Sequence, residues 1–301
     1  MLVCKGLTKR YGKNPNALES IDFSIPSKGI FALIGRNGAG KTTLARILAT
    51  ELIPSSGSAS IDGMDVVADA TRLREQIAIL PQEARAIPWL TSKQSIVSYL
   101  LYRGFSLGES EERAQSALAR LDLQDYENKL TRILSGGLKR KVLVATILAA
   151  DSRIVFVDEP TTGLDPISRA DLWKVLEELK KEHFVFLTTH YLEEAEKLAD
   201  VIGILDSGKL LGLGSLAELR KQAGYQYSIR TQQEDVKTKE GIAIRGLDGS
   251  VQILTTEEEA GRLAEKLVKD KARFSINPTS LEDIFYYLVK KPIEEENYEE
   301  E

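Results

Sequence analysis

The stretch Gly35-Arg-Asn-Gly-Ala-Gly-Lys-Thr-Thr43 constrains the fold of this 301-residue chain more than any other segment. It follows the apolar run Ile30–Ile34, which is typical of a strand buried on both faces, and it precedes apolar residues at helical spacing. Glycines allow successive backbone N–H groups to turn toward one anion, and the start of a helix adds the positive end of its dipole. The pattern G-x-x-x-x-G-K-[ST] in this context predicts a nucleotide phosphate site.

The side chains of this loop indicate how a nucleotide and its metal would be held. Lys41 is expected to reach the β- and γ-phosphates, and the hydroxyl of Thr42 is expected to ligate Mg²⁺. The other loop residues assigned to nucleotide binding are Gly35, Asn37, Gly38, Gly40 and Thr43. The alternative is a glycine-rich turn with a surface lysine, which does not explain why strand, loop and helix follow in this order.

Two adjacent carboxylates follow a second apolar strand, Ile154–Val157. Asp158 and Glu159 come at its carboxyl end, which is the edge where open α/β sheets bind ligands. Because side chains alternate along a strand, the two carboxylates are expected to point in different directions. Asp158 suits a metal ligand and Glu159 suits a general base for an attacking water. The alternative is a pair of helix-capping acids that opens the turn at Pro160.

The segment Leu134-Ser-Gly-Gly137 predicts a second helix start that can bind an anion. Ser135 offers a capping hydroxyl, and Gly136 and Gly137 leave their N–H groups accessible. One nucleotide has little need of two phosphate cradles in one chain. We therefore expect a dimer in which each cradle completes the site of the other subunit. An ordinary Ser-Gly-Gly helix cap is the alternative if this motif is considered alone.

Strands and helices alternate along most of the chain, which predicts an α/β fold with a mainly parallel sheet covered on both faces. The beginning of the chain has strand-like spacing, and residues from about 91 to 131 have helical periodicity. We expect a P-loop NTPase core with a mainly parallel sheet, an antiparallel β subdomain and a helical subdomain at about 85–135. Together these form a first domain of residues 1–223.

A small α+β accessory domain is expected at 224–292, followed by an acidic tail at 293–301. Asp248-Gly249 is a turn signal between two strand-like runs and predicts a hairpin. Thr256 with Glu259 and Thr279 with Glu282 have the spacing of capping boxes and predict two helix starts.

Together with these motifs, four further residues make the chain resemble the nucleotide-binding subunit of an ATP-binding cassette (ABC) transporter. The resemblance covers roughly residues 2–220, and LSGG just ahead of the acidic strand is its most specific landmark. It implies that Tyr11 stacks on adenine, that Gln82 touches Mg²⁺ and the attacking water, and that Asp165 belongs to the D-loop. It also implies that His190 is the switch histidine, which contacts the γ-phosphate. The plain alternatives are an aromatic at a strand end for Tyr11, a turn residue for Gln82 and a buried structural histidine for His190.

One position departs from the common pattern of the family, because Leu138 follows LSGG where glutamine is frequent. An apolar residue there, with basic residues after it, resembles the cassettes of drug, lipid or sodium exporters. The segment Ser280–Phe285 resembles a feature of the same group. These points favour export over import.

The resemblance implies ATP and Mg²⁺ as ligands, a homodimer or pseudo-dimer of nucleotide-binding domains and a separate transmembrane permease. The richest apolar run, Val142–Ala150, is far shorter than the ~20 residues that cross a bilayer, so we expect a membrane role only through that partner. The exposed-looking Pro88-Trp89-Leu90 is the expected contact, unless Trp89 is a core residue between helices.

Composition narrows the remaining classes of function. The net charge of −5 gives no sign of a nucleic-acid-binding surface, and the single cysteine fits a reducing cytoplasm. Through the permease that the resemblance implies, the expected location is the cytoplasmic face of the cell membrane. Two rivals remain, namely a soluble ATPase of the same superfamily acting in translation, DNA repair or cofactor assembly, and a regulator that senses ATP without hydrolysing it.

Overall fold

A computed structural model of the protein describes residues 1–12, 16–233, 238, 241–245 and 251–296. The chain divides into two compact units. The first contains Met1–Asp200 and Leu205–Leu210, and the second contains Val201–Ile204 and Leu211–Glu301.

The strands of the first part of the chain are β1 (Leu2–Arg10), β2 (Asn16–Ile25), β3 (Gly29–Ile34), β4 (Ser56–Ile61), β5 (Met64–Asp65), β6 (Ile77–Leu80), β7 (Ile154–Asp158), β8 (Phe184–Thr189), β9 (Val201–Asp206) and β10 (Lys209–Gly214). The helices of the same part are α1 (Lys41–Leu48), α2 (Ala70–Gln76), α3 (Ser92–Tyr102), α4 (Leu107–Arg120), α5 (Gly136–Ala150), α6 (Pro166–Leu179) and α7 (Leu192–Leu198).

The main sheet has six strands in the order β10-β9-β3-β8-β7-β6, and its members β3, β8, β7 and β6 pair in parallel. Parallel strands covered on both faces need continuous apolar sequences, and both β3 and β7 have them. The rings of Phe31 and Phe156 lie 5.1 and 5.2 Å from the ring of Phe186, which joins three neighbouring strands. The expected α/β fold with a mainly parallel sheet is confirmed.

An antiparallel sheet in the order β2-β1-β4-β5 forms the expected β subdomain. The helical segment holds α3, α4 and α5, which pack against one another. Thr91 and Ser106 begin α3 and α4 with capping boxes. The helical periodicity expected up to residue 131 is correct as far as Arg120, after which residues 124–126 and 131–133 form only short 3-10 turns.

From Leu216 onward, the described residues of the second unit form an antiparallel sheet and three helices, in agreement with the expected α+β architecture. Its elements are α8 (Leu216–Ala223), β11 (Tyr227–Thr231), β12 (Gly241–Arg245), β13 (Val251–Thr255), α9 (Glu257–Lys269), β14 (Phe274–Pro278) and α10 (Leu281–Glu296). The strand order is β12-β13-β11-β14. Strands β12 and β13 pair as expected, although Asp248-Gly249 lies outside the described residues.

One of the two predicted caps in this unit is wrong by one residue. Thr256 caps α9 by accepting a hydrogen bond from the backbone N–H of Glu259 at 3.4 Å, as expected. The cap of α10 is Ser280 instead of Thr279, because Ser280 Oγ accepts from the N–H of Asp283 and the Asp283 carboxylate accepts from the N–H of Ser280. Thr279 is fully buried, which leaves the adjacent serine to cap the helix. Helix α10 runs through Glu296, and residues 297–301 of the expected acidic tail lie outside the described residues.

Within the described part of the chain, no helix combines the length and apolar character that a membrane span requires.

Cys4 lies in β1 with 2% of its surface exposed, and burial, followed by the nearby charge of Asp22, raises its pKa to about 12. The thiolate is the reactive form, so we expect the native protein at pH 8 to react with a disulfide reagent at least ~100-fold more slowly than the unfolded chain. An Ile53→Cys variant is the matched control, since position 53 is 66% exposed and its thiol should react at once. Rapid reaction of native Cys4 would contradict this description of β1.

Candidate active site

The loop between β3 and α1 curves around the space at the N-terminal end of α1. Gly40 is the residue before α1 and has φ 106°, a conformation that side chains with a Cβ rarely adopt. A Cβ at Gly40 would also collide with the carbonyl oxygen of Ala17. The backbone therefore requires glycine here, and the loop presents N–H groups at the positive end of α1.

Lys41 begins α1 and its ammonium lies inside the loop. The Nζ atom donates to the carbonyl oxygens of Gly35 at 2.8 Å and Arg36 at 3.1 Å, and it lies 3.8 Å from Glu159 Oε1. Only 6% of the residue is exposed. Burial lowers the pKa of Lys41, and the negative charges of Glu159 and Asp158 act in the opposite direction. The result is a poorly hydrated cation that is well placed to bind a phosphate.

Asp158 is the last residue of β7 and contacts the first turn of α1. The hydroxyl of Thr42 donates to Asp158 Oδ2 at 3.1 Å, and the hydroxyl of Thr188 donates to the other carboxylate oxygen. Oxygen ligands of this kind fit Mg²⁺, which is usually held by one or two protein oxygens together with phosphates and water. Among the described residues no group of three or more His, Cys, Asp or Glu could hold a metal by itself.

The carboxylate of Glu159 is the centre of a polar cluster. Its Oε2 accepts hydrogen bonds from Gln82 Nε2 and from the hydroxyl of Thr162, both at 3.1 Å. The ring nitrogen Nδ1 of His190 lies 3.1 Å from the same oxygen. Three side chains from separate parts of the chain thus meet the carboxylate that the sequence suggests as general base.

The backbone of Glu159 is strained, with φ 45°. A non-glycine residue in this left-handed region costs ~1–3 kcal/mol and persists only when its surroundings hold it there. The N–H of Glu159 donates to the carbonyl oxygen of Thr188 at 3.0 Å. Strain of this kind is concentrated at functional sites, where it aims a side chain.

These groups surround a cavity of about 570 Å³ in the first unit. It is lined by Ala17, Asn37, Gly38, Gly40, Lys41, Thr42, Thr43, Gln82, Glu159, Thr162 and His190. The structure therefore brings most of the predicted loop residues together with Gln82, Glu159 and His190. Asp158 contacts the edge of this group through Thr42.

The second predicted cradle lies apart from this cavity. Ser135 precedes α5, and its hydroxyl accepts a hydrogen bond from the N–H of Leu138 at 3.3 Å. Ser135 and Gly136 are exposed, and neither residue lines the cavity that contains Lys41. Within a single chain, the two anion-binding helix starts therefore do not share a phosphate.

Asp165 caps α6, which lies beside the start of α5. Its carboxylate accepts from the N–H groups of Ile167 and Ser168, both at 3.0 Å, and from the Ser168 hydroxyl at 2.6 Å. A Cβ added to Gly137 would lie only 2.7 Å from the Cβ of Ser168. The absence of a side chain at Gly137 thus permits the close approach of α5 and α6.

Two aromatic residues singled out in the sequence are exposed. Tyr11 follows β1, is 45% exposed and has Lys9 Nζ at 5.3 Å from its ring centroid. It does not line the cavity around Lys41. Trp89 is 74% exposed, so the alternative that it is a core residue between helices is wrong.

Sequence reasoning missed one buried residue of this region, Arg140 in α5. It shares a helix face with Val144 and Ile147, both of which are buried, so its position on an apolar face was a signal that this cation lies inside. Its Nε donates to the carbonyl oxygen of Pro160 at 2.8 Å, immediately after the acidic pair. Burial lowers the pKa of Arg140, and the charges of Asp158 and Glu194 oppose this effect.

Comparisons with known proteins agree with the geometry. Residues 18–162 match the family model described as ABC transporter. The daunorubicin/doxorubicin resistance ATP-binding protein of Streptomyces peucetius is 30% identical over 312 residues, with 98% of this chain and 94% of that protein covered.

Two solved structures resemble the first part of the chain. The structure of an ATP-binding subunit of an ABC transporter is 30% identical with a TM-score of 0.64, covering 74% of this chain and 93% of that one. A dimeric ATP-binding cassette in a post-hydrolysis state, bound to ADP and Pi, is 25% identical with a TM-score of 0.63. That match covers 72% of this chain and 99% of the other.

The contact between Gly137 and Ser168 predicts a difference between two neighbouring glycines. Gly137→Ala should lower the free energy of unfolding by ~1–3 kcal/mol, because the added methyl group overpacks the junction of α5 and α6. Gly136→Ala is the control, since a Cβ there meets nothing within 4 Å. Thermal unfolding without nucleotide measures both variants.

A double variant checks the cause. Removing the Ser168 side chain in Gly137→Ala/Ser168→Gly should cost less than the sum of the two single substitutions, because the clash is absent. Additive losses in the free energy of unfolding would show that there is no steric clash between positions 137 and 168.

Proposed function

Because the chain belongs to the ABC transporter family as an ATP-binding and ATP-hydrolysing subunit, we propose that it drives export through a separate membrane permease. The observation that carries the ATP-hydrolysing part of this proposal is the meeting of Lys41, Gln82 and His190 at the carboxylate of Glu159. A cation for phosphate and a positioned base lie within one cavity, as hydrolysis of a γ-phosphate requires.

ATP would be held by the glycine-rich loop, with its phosphates on the N–H groups at the start of α1 and on Lys41. Thr42, Asp158 and Gln82 would hold Mg²⁺, which would supply positive charge beside the phosphates. The ring of Tyr11 is 45% exposed and would stack on adenine, which is consistent with its position outside the phosphate cavity.

Glu159 would accept a proton from the attacking water. Gln82 and His190 approach the same carboxylate oxygen, so they would orient both this base and the water between it and the γ-phosphate. Lys41 is 3.8 Å from the other oxygen of Glu159. The binding of a phosphate would therefore exchange one anion for another beside Lys41 and release Glu159 for catalysis.

A second copy of the chain would complete the site. Ser135, Gly136 and Gly137 do not line the cavity that holds Lys41, so their N–H groups would be available to a γ-phosphate bound by a partner. Asp165 lies beside them through Ser168 and would join the same interface. The dimeric, nucleotide-bound cassette among the similar structures supports a homodimer or pseudo-dimer.

The permease would dock where large apolar side chains are exposed after Gln82. Trp89 is 74% exposed and Ile87 is 43% exposed, and Pro88 between them is exposed as well. Exposed aromatic residues are frequent anchors of interfaces. With a permease bound there, the subunit would lie at the cytoplasmic face of the cell membrane. The resistance protein among the relatives supports export over a soluble role in translation, repair or cofactor assembly.

Replacing the base separates binding from hydrolysis. Glu159→Gln should bind MgATP with unchanged or tighter affinity and lose ~10²–10⁴-fold in turnover, because an amide cannot accept the proton of water. Phosphate release and nucleotide titration measure the two quantities. Glu182→Gln is the matched control, since that carboxylate lies on an exposed connector before β8.

Two results would count against the proposal. Turnover of Glu159→Gln near that of the unsubstituted protein would remove Glu159 from its role. Failure of the unsubstituted protein to release phosphate from ATP, with or without membranes that contain a permease, would favour the alternative of a regulator that only senses ATP.

A further inference from the structure

Arg140 is a buried cation that the reaction described above does not use. Its Nε donates to the carbonyl oxygen of Pro160 at 2.8 Å, and its Nη2 donates to the carbonyl oxygens of Asp158 and Glu159 at 3.3 and 3.4 Å. Only 9% of the residue is exposed. One guanidinium therefore binds three consecutive carbonyl oxygens and fixes the backbone turn that carries both site carboxylates.

The conformation of this turn depends on hydrogen bonds from other parts of the chain. Glu159 has φ 45°, so its backbone would relax to a more common conformation without external support. The support comes from both sides, since the N–H of Glu159 donates to the carbonyl oxygen of Thr188 and its own carbonyl oxygen accepts from Arg140. The direction of the Glu159 side chain follows from this backbone conformation.

Arg140 also belongs to α5, whose start is the Leu134-Ser-Gly-Gly137 segment, called the signature segment below. From Ser135 to Arg140 the chain advances by about 1.4 helical turns, a distance over which a helix is stiff. The first turn is further fixed by the close approach of Gly137 to Ser168. A movement of Ser135 therefore also moves Arg140. Through Arg140 it moves the turn at residues 158–160.

We propose that Arg140 is a positioning residue that couples Glu159 to the signature segment of the same chain. Glu159 acts in one ATP site of the dimer, and the signature segment contacts the ATP of the other site. The inference rests on the proposed shared dimer. When the start of α5 binds the ATP of a partner subunit, Arg140 holds the Glu159 of its own chain in position to activate the attacking water. Each subunit would thus hydrolyse its ATP only after recognising that of its partner.

The chain contains a matched control for this role. Arg103 also binds carbonyl oxygens, those of Ile77 at 2.7 Å and Glu75 at 3.1 Å, but it does so at the beginning of β6. Glu159 follows the carboxyl end of the adjacent parallel strand β7. Arg103 is therefore a carbonyl-binding arginine at the edge of the sheet away from the reaction.

The first experiment separates turnover from binding. Arg140→Met should lower kcat by on the order of 10- to 100-fold, as expected for a displaced base, while the Kd for MgATP changes by less than about twofold. Arg140→Lys should give an intermediate kcat, because an ammonium donates to some of the carbonyl oxygens but lacks the planar fork. Arg103→Met should leave kcat unchanged, even though both methionine variants lower Tm.

The second experiment uses mixed dimers that have one functional Glu159. In the first, one subunit carries Arg140→Met and the other carries Glu159→Gln, so the functional base lacks its own arginine. In the second, both substitutions are in one subunit, so the functional base keeps its arginine. We expect the second dimer to hydrolyse ATP at the rate of a dimer that carries only Glu159→Gln in one subunit. The first dimer should be at least ~10-fold slower than the second.

Two outcomes would overturn the inference, namely an unchanged kcat in Arg140→Met or equal rates for the two mixed dimers. Failure of the proposed function looks different. In that case the Glu159→Gln protein would remain a monomer with ATP in sedimentation, or the unsubstituted protein would hydrolyse ATP at a rate per subunit that does not depend on protein concentration.

Discussion

The contact of Lys41 with Glu159 joins the phosphate loop to the end of the acidic strand, and the other features of the site are arranged around it. The loop can hold a buried ammonium because the carbonyl oxygens of Gly35 and Arg36 and a nearby carboxylate compensate its charge. The carboxylate in turn accepts from Gln82, which comes from the segment after β6. A nucleotide that enters this cavity must rearrange these partners, so binding is linked to the segments on which they lie.

The second constraint is that the two anion-binding helix starts of one chain lie apart. Ser135 and Gly136 are exposed, whereas Lys41 is buried in its loop, and the two groups do not line one cavity. A shared dimer is the arrangement we propose to unite them. Under that proposal, α5 has a double role, because its beginning faces a partner while Arg140 holds the turn of its own Glu159.

The sequence predicts contiguous features well and tertiary ones poorly. The phosphate loop and the acidic pair were predictable because a few adjacent residues determine each of them, and the parallel sheet was predictable from the alternation of strands and helices along the chain. The hydrogen bonds from Arg140 to the turn at 158–160 were not predictable, since its partners are carbonyl oxygens whose position depends on packing. The cap at Ser280 was also missed, because the burial of Thr279 decides which hydroxyl is available. The structure shows the N–H of Leu138 donating to Ser135 and assigns no role to its side chain.

The most direct test of the shared site is a structure of the Glu159→Gln protein with ATP and Mg²⁺. The account predicts a two-fold dimer in which the hydroxyl of Ser135 lies within hydrogen-bond distance of the γ-phosphate bound to Lys41 of the other copy. A nucleotide-loaded protein in which Ser135 and Gly136 face solvent, with no second copy over the phosphates, would contradict it.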